Sequence, residues 1–227
     1  MRRMRWLVGL TTMALAACSD AAGPKPGAPE VARTELHTLR WAPSGSPRTF
    51  GGVSTPPGGQ PTRAFPDAPA VLSTYALSLW AYTNRDASAD VSYLASDSTW
   101  QPYVSLSVPS GALLRRPDGS WFTPGDSIEI TITLDTALVL VDLQPTGLVF
   151  NPLIPARLTM SYNGSNPDYN GDGAVNALDA YIEQFLMGVW VRPYPTDPWE
   201  PLSAIQSLLG KAFTGNLRHF SEYAVSW

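Results

Sequence analysis

Five side chains with oxygen donors stand at short intervals in the run Asp168-Tyr169-Asn170-Gly171-Asp172-Gly173-Ala174-Val175-Asn176-Ala177-Leu178-Asp179. A chain that wraps a hard divalent cation needs hard oxygen ligands, about six to eight of them for calcium, and this spacing supplies them from one turn of backbone. Asp168, Asn170 and Asp172 offer side chains from positions 1, 3 and 5 of the run, and Ala174 offers its carbonyl from position 7. Asn176, at position 9, reaches directly or through water, and Asp179 closes the set from position 12. Gly173 permits the sharp turn, and Val175 is expected to pin the loop to the core. Without a cation, three carboxylates crowd one small volume at a cost. The competing reading is a polar Asn-Gly/Asp-Gly turn that holds no ion. The expected cofactor is one structural calcium ion.

Other chemistries have less to work with. The chain beyond residue 69 has one histidine, His219, and the single cysteine is Cys18. A zinc site therefore lacks ligands. A Ser-His-Asp triad would have to use His219, and no G-x-S-x-G context appears. Paired carboxylates for glycoside hydrolysis stay open, but the acids concentrate in the calcium loop and in turns. Trp121, Trp190 and Trp199 would form a sugar-stacking platform if exposed; core packing is the preferred reading. The protein is expected not to be an enzyme. Its alternative is a secreted hydrolase acting on polysaccharide.

The elements that must position these residues read as strands. Val104, Leu106 and Val108 alternate with serines, and Ile128, Ile130, Ile132 and Leu134 alternate with polar residues. Leu158, Met160 and Tyr162, and later Tyr223, Val225 and Trp227, do the same. A period of two buries one face of a strand and wets the other. Turn signals separate the runs at Pro117-Asp118-Gly119, Pro124-Gly125-Asp126 and Pro145-Thr146-Gly147. Six tryptophans from Trp80 to Trp227 are expected to supply much of the core. Leu178, Tyr181, Ile182, Phe185, Leu186 and Val189 instead follow the spacing of one helix face, expected to pack on the core, with Gly188 as its stop. The expected fold is all-β: an antiparallel immunoglobulin-like β-sandwich with one short helix inserted after the calcium loop. The domain spans 70–227 and the insertion 165–188.

Ahead of it, residues 18–69 are rich in Ala, Pro, Gly, Ser and Thr and read as a tether, with Trp41 and Phe50 able to pack onto the domain. Arg2, Arg3 and Arg5 precede a short apolar run, Trp6 to Ala14, too short to span a bilayer. Leu15-Ala16-Ala17-Cys18 follows and resembles the lipobox of bacterial lipoproteins. That resemblance implies a signal peptide over 1–17, a lipid-bearing Cys18 at the mature N-terminus, and a membrane as partner. Ser19 favours the outer over the inner membrane by the same resemblance. The first 17 residues hold three arginines and no acid, so their removal takes the net charge from −4 to −7. So acidic a chain has no electrostatic footprint for nucleic acid. With Cys18 used for lipid, an exported fold of this sequence has no disulfide and must stand on its core.

Two family resemblances bear on the folded region. The run Thr214-Gly215-Asn216-Leu217-Arg218-His219-Phe220-Ser221-Glu222-Tyr223-Ala224-Val225 resembles the end of the ZU-five domain, a β-sandwich named after zonula occludens proteins and Unc-five netrin receptors. Pro145-x-Gly147-Leu148-x-Phe150, Pro152 and the strand Leu158–Tyr162 resemble it too, over about residues 100–227. Such domains are usually binding or scaffolding modules, which implies an unidentified protein or polysaccharide partner. In some animal relatives the Phe–Ser bond of a His-Phe-Ser tripeptide cleaves itself, which makes His219, Phe220 and Ser221 a candidate self-cleavage site. A structural role for the tripeptide is preferred. The loop Asp168–Asp179 resembles EF-hands and, more closely, the dockerin modules of cellulosomes. Dockerins carry two such loops and this chain has one; an EF-hand has an entering helix, whereas Ser161–Pro167 reads as strand end and turn. Both departures favour a structural calcium clip over a sensor or a dockerin.

Overall fold

The structure is a computed structural model and describes residues 36–42, 70–194 and 196–227. The signal segment 1–17, Cys18 and Phe50 lie outside the described residues. Thirteen strands follow in chain order: β1 (Ala76–Tyr82), β2 (Ala87–Leu94), β3 (Trp100–Val108), β4 (Leu113–Arg115), β5 (Ser127–Leu134), β6 (Leu140–Gln144) and β7 (Val149–Phe150), then β8 (Ala156–Ser161), β9 (Gly188–Arg192), β10 (Glu200–Leu202), β11 (Ala204–Ser207), β12 (Ala212–Leu217) and β13 (Glu222–Ser226). One short helix, α1 (Ala177–Tyr181), runs into a π-helical turn at Ile182–Leu186. The fold is all-β and its strand pairs are antiparallel.

One sheet has the order β1-β5-β6-β13-β9-β10 and a second the order β11-β12-β8-β3-β2; β4 and β7 form a small ribbon. The alternations read from the sequence set the inner faces. Ile130, Ile132, Val141, Leu143, Tyr223 and Val225 of the first sheet share one apolar cluster with Val104, Leu106, Leu158, Met160 and Phe213 of the second. Burial of each such side chain stabilises the fold by roughly 1.5–3 kcal/mol.

The tryptophans depart from expectation. Trp80, Trp100 and Trp121 are exposed and Trp190, Trp199 and Trp227 are half-buried. In β1 the inward parity belongs to Leu77, Leu79 and Ala81, so Trp80 goes outward with Ser78. Among the described residues the aromatic core is built from Tyr93, Tyr103, Tyr162, Tyr223, Phe150, Phe213, Phe220 and one tryptophan, Trp41. Trp41 belongs to a stretch that composition assigns to the tether, yet residues 36–42 are ordered against the sheets ahead of the boundary at residue 70. Thr38 bridges to Ser226, Arg40 to Leu138 and Trp41 to Ser165. The Trp41 indole donates to the Leu138 carbonyl at 3.0 Å and meets Tyr103 edge-on at 4.6 Å. It fits because residue 164 is glycine: a Cβ there would stand 2.4 Å from the indole.

The stretch between β8 and β9 carries the chain from one sheet to the other, and it contains the oxygen-rich loop, α1 and the π turn. Its helical face does not pack as expected. Ile182 alone of the six periodic residues up to Leu186 and Val189 joins Val189 in burial; Leu178, Tyr181, Phe185 and Leu186 are exposed. Val175 is exposed as well and does not pin the loop. Polar contacts hold the segment instead. Lys211 pairs with Glu183 at 2.9 Å, and Gln206 donates to the Glu183 carbonyl and to the Tyr162 hydroxyl. Among the described residues no helix is long and apolar enough to cross a membrane.

Candidate functional site

The oxygen-rich loop folds around its own carboxylates. Asp179 is 2% exposed and accepts from the backbone N–H of Tyr169 (2.7 Å), Asn170 (3.3 Å) and Asn176 (2.8 Å). Asn176 caps α1: its side chain accepts from Leu178 N–H at 2.8 Å while Asp179 reaches back, a reciprocal capping box. The sequence reading gave Asp179 the closing ligand position and did not give it this second role. Asp168 accepts from Asp172 N–H and Gly173 N–H, and Asp172 from Ala174 N–H. Gly173 sits at φ +87°, a left-handed conformation that a side chain would strain.

The side-chain amides of Asn170 and Asn176 both donate to Asp172. The Asn170 amide and then the Ala174 N–H hold the Asp172 carboxyl below its ordinary range. Between residues 163 and 187 the chain has four acids and no Lys, Arg or His. Among the described residues no three His, Cys, Asp or Glu side chains converge as a ready metal cluster. The donor set is nonetheless one that suits a hard cation: carboxylates, amide oxygens and a backbone carbonyl. The loop is joined to the core by Tyr169, whose carbonyl accepts from the Trp227 indole at 3.0 Å. Burial, and then the charge of Glu183, push the Tyr169 hydroxyl well above its ordinary value.

The tripeptide His219-Phe220-Ser221 lies at the corner between β12 and β13. Phe220 and Ser221 are fully buried and His219 is half-buried. His219 Nδ1 stands 2.7 Å from Ser221 Oγ. The Phe220 carbonyl accepts from Gly147 N–H at 3.2 Å, and the Tyr223 hydroxyl donates to the His219 carbonyl. Phe220 meets Phe150 edge-on at 4.9 Å, and its own N–H donates to the Leu148 carbonyl. The geometry thus brings together a hydroxyl, a ring nitrogen within hydrogen-bond distance of it, and one backbone donor on the adjacent carbonyl oxygen. Glu222, of opposite parity, faces away and pairs with Arg192. Gly147 and Tyr223 are partners that the sequence reading did not assign to the tripeptide.

A second pair of acids appears only in the fold. Asp142 on β6 lies directly opposite Glu222 on β13, on the outward face of the first sheet. Burial, then the nearby Glu222 charge against the opposing Gln144 amide, leaves the Asp142 carboxyl above its ordinary range. Gln144 Nε2 lies 2.9 and 3.0 Å from the two Asp142 oxygens. Both carboxylates are therefore engaged, and they lie on a sheet face. The wet parity of both positions was readable, but not their pairing across about 80 residues. Of the tryptophans considered as a platform, Trp121 lies under Arg115 at 4.2 Å and Trp199 under Arg192 at 4.6 Å, while Trp190 is half-buried opposite Ala224.

Comparison with family models, curated proteins and solved structures finds no match to this chain. The class established is an all-β protein of antiparallel sheets.

Proposed function

We propose that this chain is an exported lipoprotein, anchored through Cys18 in the cell envelope, whose folded part is a non-catalytic binding or structural module clipped by one calcium ion. In this reading the two sheets make an immunoglobulin-like sandwich of the ZU-five kind. The observation that carries it is the oxygen-rich loop, with four acids and no base, set where the chain crosses between sheets. Asp168, Asn170, Asp172, the Ala174 carbonyl, Asn176 and Asp179 are the residues that would hold the ion. Bound there, calcium supplies positive charge to a loop that otherwise spends amide N–H groups on its carboxylates. Tyr169 and the capped α1 then couple the loop to the core. Two measurements test the reading. Calcium should raise the melting temperature of the wild-type chain, and chelator should reverse it; a chain indifferent to both has a polar turn and no clip. Cys18→Ser should move the protein out of the membrane fraction; equal partitioning of both forms would remove the anchor.

A second reading is favoured by the 2.7 Å approach of His219 Nδ1 to Ser221 Oγ. Here the domain cleaves itself between Phe220 and Ser221. The Ser221 hydroxyl attacks the Phe220 carbonyl carbon and gives its proton to His219. Gly147 N–H supports the charge on the carbonyl oxygen. His219 returns the proton to the Ser221 nitrogen as the C–N bond breaks, and water hydrolyses the resulting ester. Such chemistry requires Nδ1 to be the unprotonated nitrogen of the ring. The mass of the purified protein decides: loss of Ser221–Trp227, abolished by Ser221→Ala, supports cleavage, and an intact chain supports the structural role.

A further inference from the structure

The crossing segment exposes large apolar side chains that its own packing does not use. Val175, Leu178, Tyr181, Phe185 and Leu186 leave 64, 50, 51, 62 and 45% of their surface open, while Ile182 between them is buried. The Tyr181 and Phe185 rings stand 5.1 Å apart, and Val175 and Leu178 precede them at helical spacing on the same short segment. The π turn, closed by Met187 N–H on the Ile182 carbonyl at 2.9 Å, ends the segment with Phe185 and Leu186 facing out. Clustered exposed apolar surface marks an interaction site more often than isolated residues do.

Contacts within the fold connect the start of α1 to His37, beside the first described residue, Leu36. Asp179, in α1, accepts from Tyr169 N–H, and the Tyr169 carbonyl accepts from the Trp227 indole. His37 stacks on that indole at 4.4 Å, and its N–H donates to the Trp227 carbonyl. The start of α1 is thus three contacts, through Tyr169 and Trp227, from His37 at the beginning of the ordered N-terminal segment. Seventeen residues lie between Cys18 and Leu36, so even full extension keeps the lipid end within about 60 Å of it.

We propose that the Val175–Leu186 face docks on the phospholipid surface that holds the anchor, with Tyr181 and Phe185 at the headgroup boundary. The inference rests on the lipoprotein reading above. Aromatic and leucine side chains on a short amphipathic segment suit that interface. Glu183, the acid within the apolar run, is already paired with Lys211, so the patch itself brings no unpaired acid to the lipid. Asp168 and Asp172 lie beside it, which favours a zwitterionic surface over an anionic one. Because the anchor makes docking intramolecular, a patch of weak intrinsic affinity is sufficient.

Acylation consumes the only native thiol, so Phe185→Cys gives the mature protein one site for an environment-sensitive fluorophore. Leu153→Cys is the control: Leu153 is 89% exposed and precedes β8, at the strand end away from the crossing segment. Both proteins are placed in phosphatidylcholine vesicles. The label at 185 should be shielded from iodide several-fold and quenched by lipids with spin-labelled acyl chains, and the label at 153 by neither measure. A vesicle-bound protein whose label at 185 stays as accessible as that at 153 overturns the docking while leaving the anchor intact. Shielding that arises without lipid and scales with protein concentration assigns the patch to a second copy and also overturns it. If Cys18 keeps its unmodified mass and the chain never partitions, the lipoprotein reading falls, and this inference with it.

Discussion

The loop Asp168–Asp179 and the corner His219–Ser221 are both short polar sequences, yet they are held in opposite ways. Apart from the Trp227 indole on the Tyr169 carbonyl, the loop's carboxylates bond to residues no more than ten positions away, and most of its side chains remain open to solvent. The corner is buried, and the groups that orient it, Gly147 and Leu148, come from the turn that precedes β7. A site held mostly by its own neighbours can gain or lose an ion without rearranging the sheets. A site held from afar shares its stability with the whole core.

That contrast can be broken by truncation. Phe220→Ala should cost about 3–5 kcal/mol in urea unfolding, because it empties a closed aromatic contact with Phe150. Phe185→Ala, the same change on the exposed patch, should fall within about 0.5 kcal/mol of wild type. Similar costs for the two would mean that the insertion belongs to the core after all.

Calcium should act only on the loop. At a hundredfold excess over its dissociation constant it should add about 2.7 kcal/mol to the stability of the wild type. Asp172→Ala should lose that increment and Ser221→Ala should keep it, as read by melting with calcium and with chelator. Tyr223→Phe sharpens the other side. It leaves the half-buried His219 carbonyl without its hydroxyl donor and should cost about 1–3 kcal/mol, with no change in the calcium increment.

The smallest expected effect is one of pH. Burial raises the Asp142 carboxyl, so its contribution is present at low pH and is lost as pH rises through the carboxylate range. Asp172 is lowered, so its contribution is present above that range and is lost as pH falls through its folded value. Asp142→Asn should therefore gain on wild type as pH rises, and melts of both proteins from about pH 3 to 7 read the difference.

Much of this was legible in the residues. The alternation of Ile128 to Leu134 gave β5 its inner face, and the donor spacing of Asp168 to Asp179 marked a loop whose carboxylates accept from its own backbone N–H groups. The helical spacing of Leu178 to Val189 showed that a helix forms there but not which way it faces; an apolar stripe has the same period whether a core or something else covers it. Residue type alone does not decide where a tryptophan goes. Its neighbours Leu77, Leu79 and Ala81 already placed Trp80 on the outer parity. Trp41 was legible as a residue able to pack onto the domain, but not where, because no periodic pattern surrounds it and its site exists only once Tyr93, Tyr103 and Gly164 have been brought together. The partners of the corner were invisible for the same reason: nothing near residue 219 announces Gly147.

The segment of residues 36–42 has a mechanical consequence. It lies alongside the end of β13, with His37 N–H on the Trp227 carbonyl, Leu39 N–H on the Val225 carbonyl, and Val139 and Ala137 bonded to Leu39 and Trp41 on its other side. A force applied at residue 36 along the direction of this strand would load those bonds together in shear and not one after another as in unzipping. The buried indole of Trp41 sits at the far end of the segment as a stop. A pull on the N-terminal chain thus meets a clamp before it reaches the sheets that carry the loop and the corner.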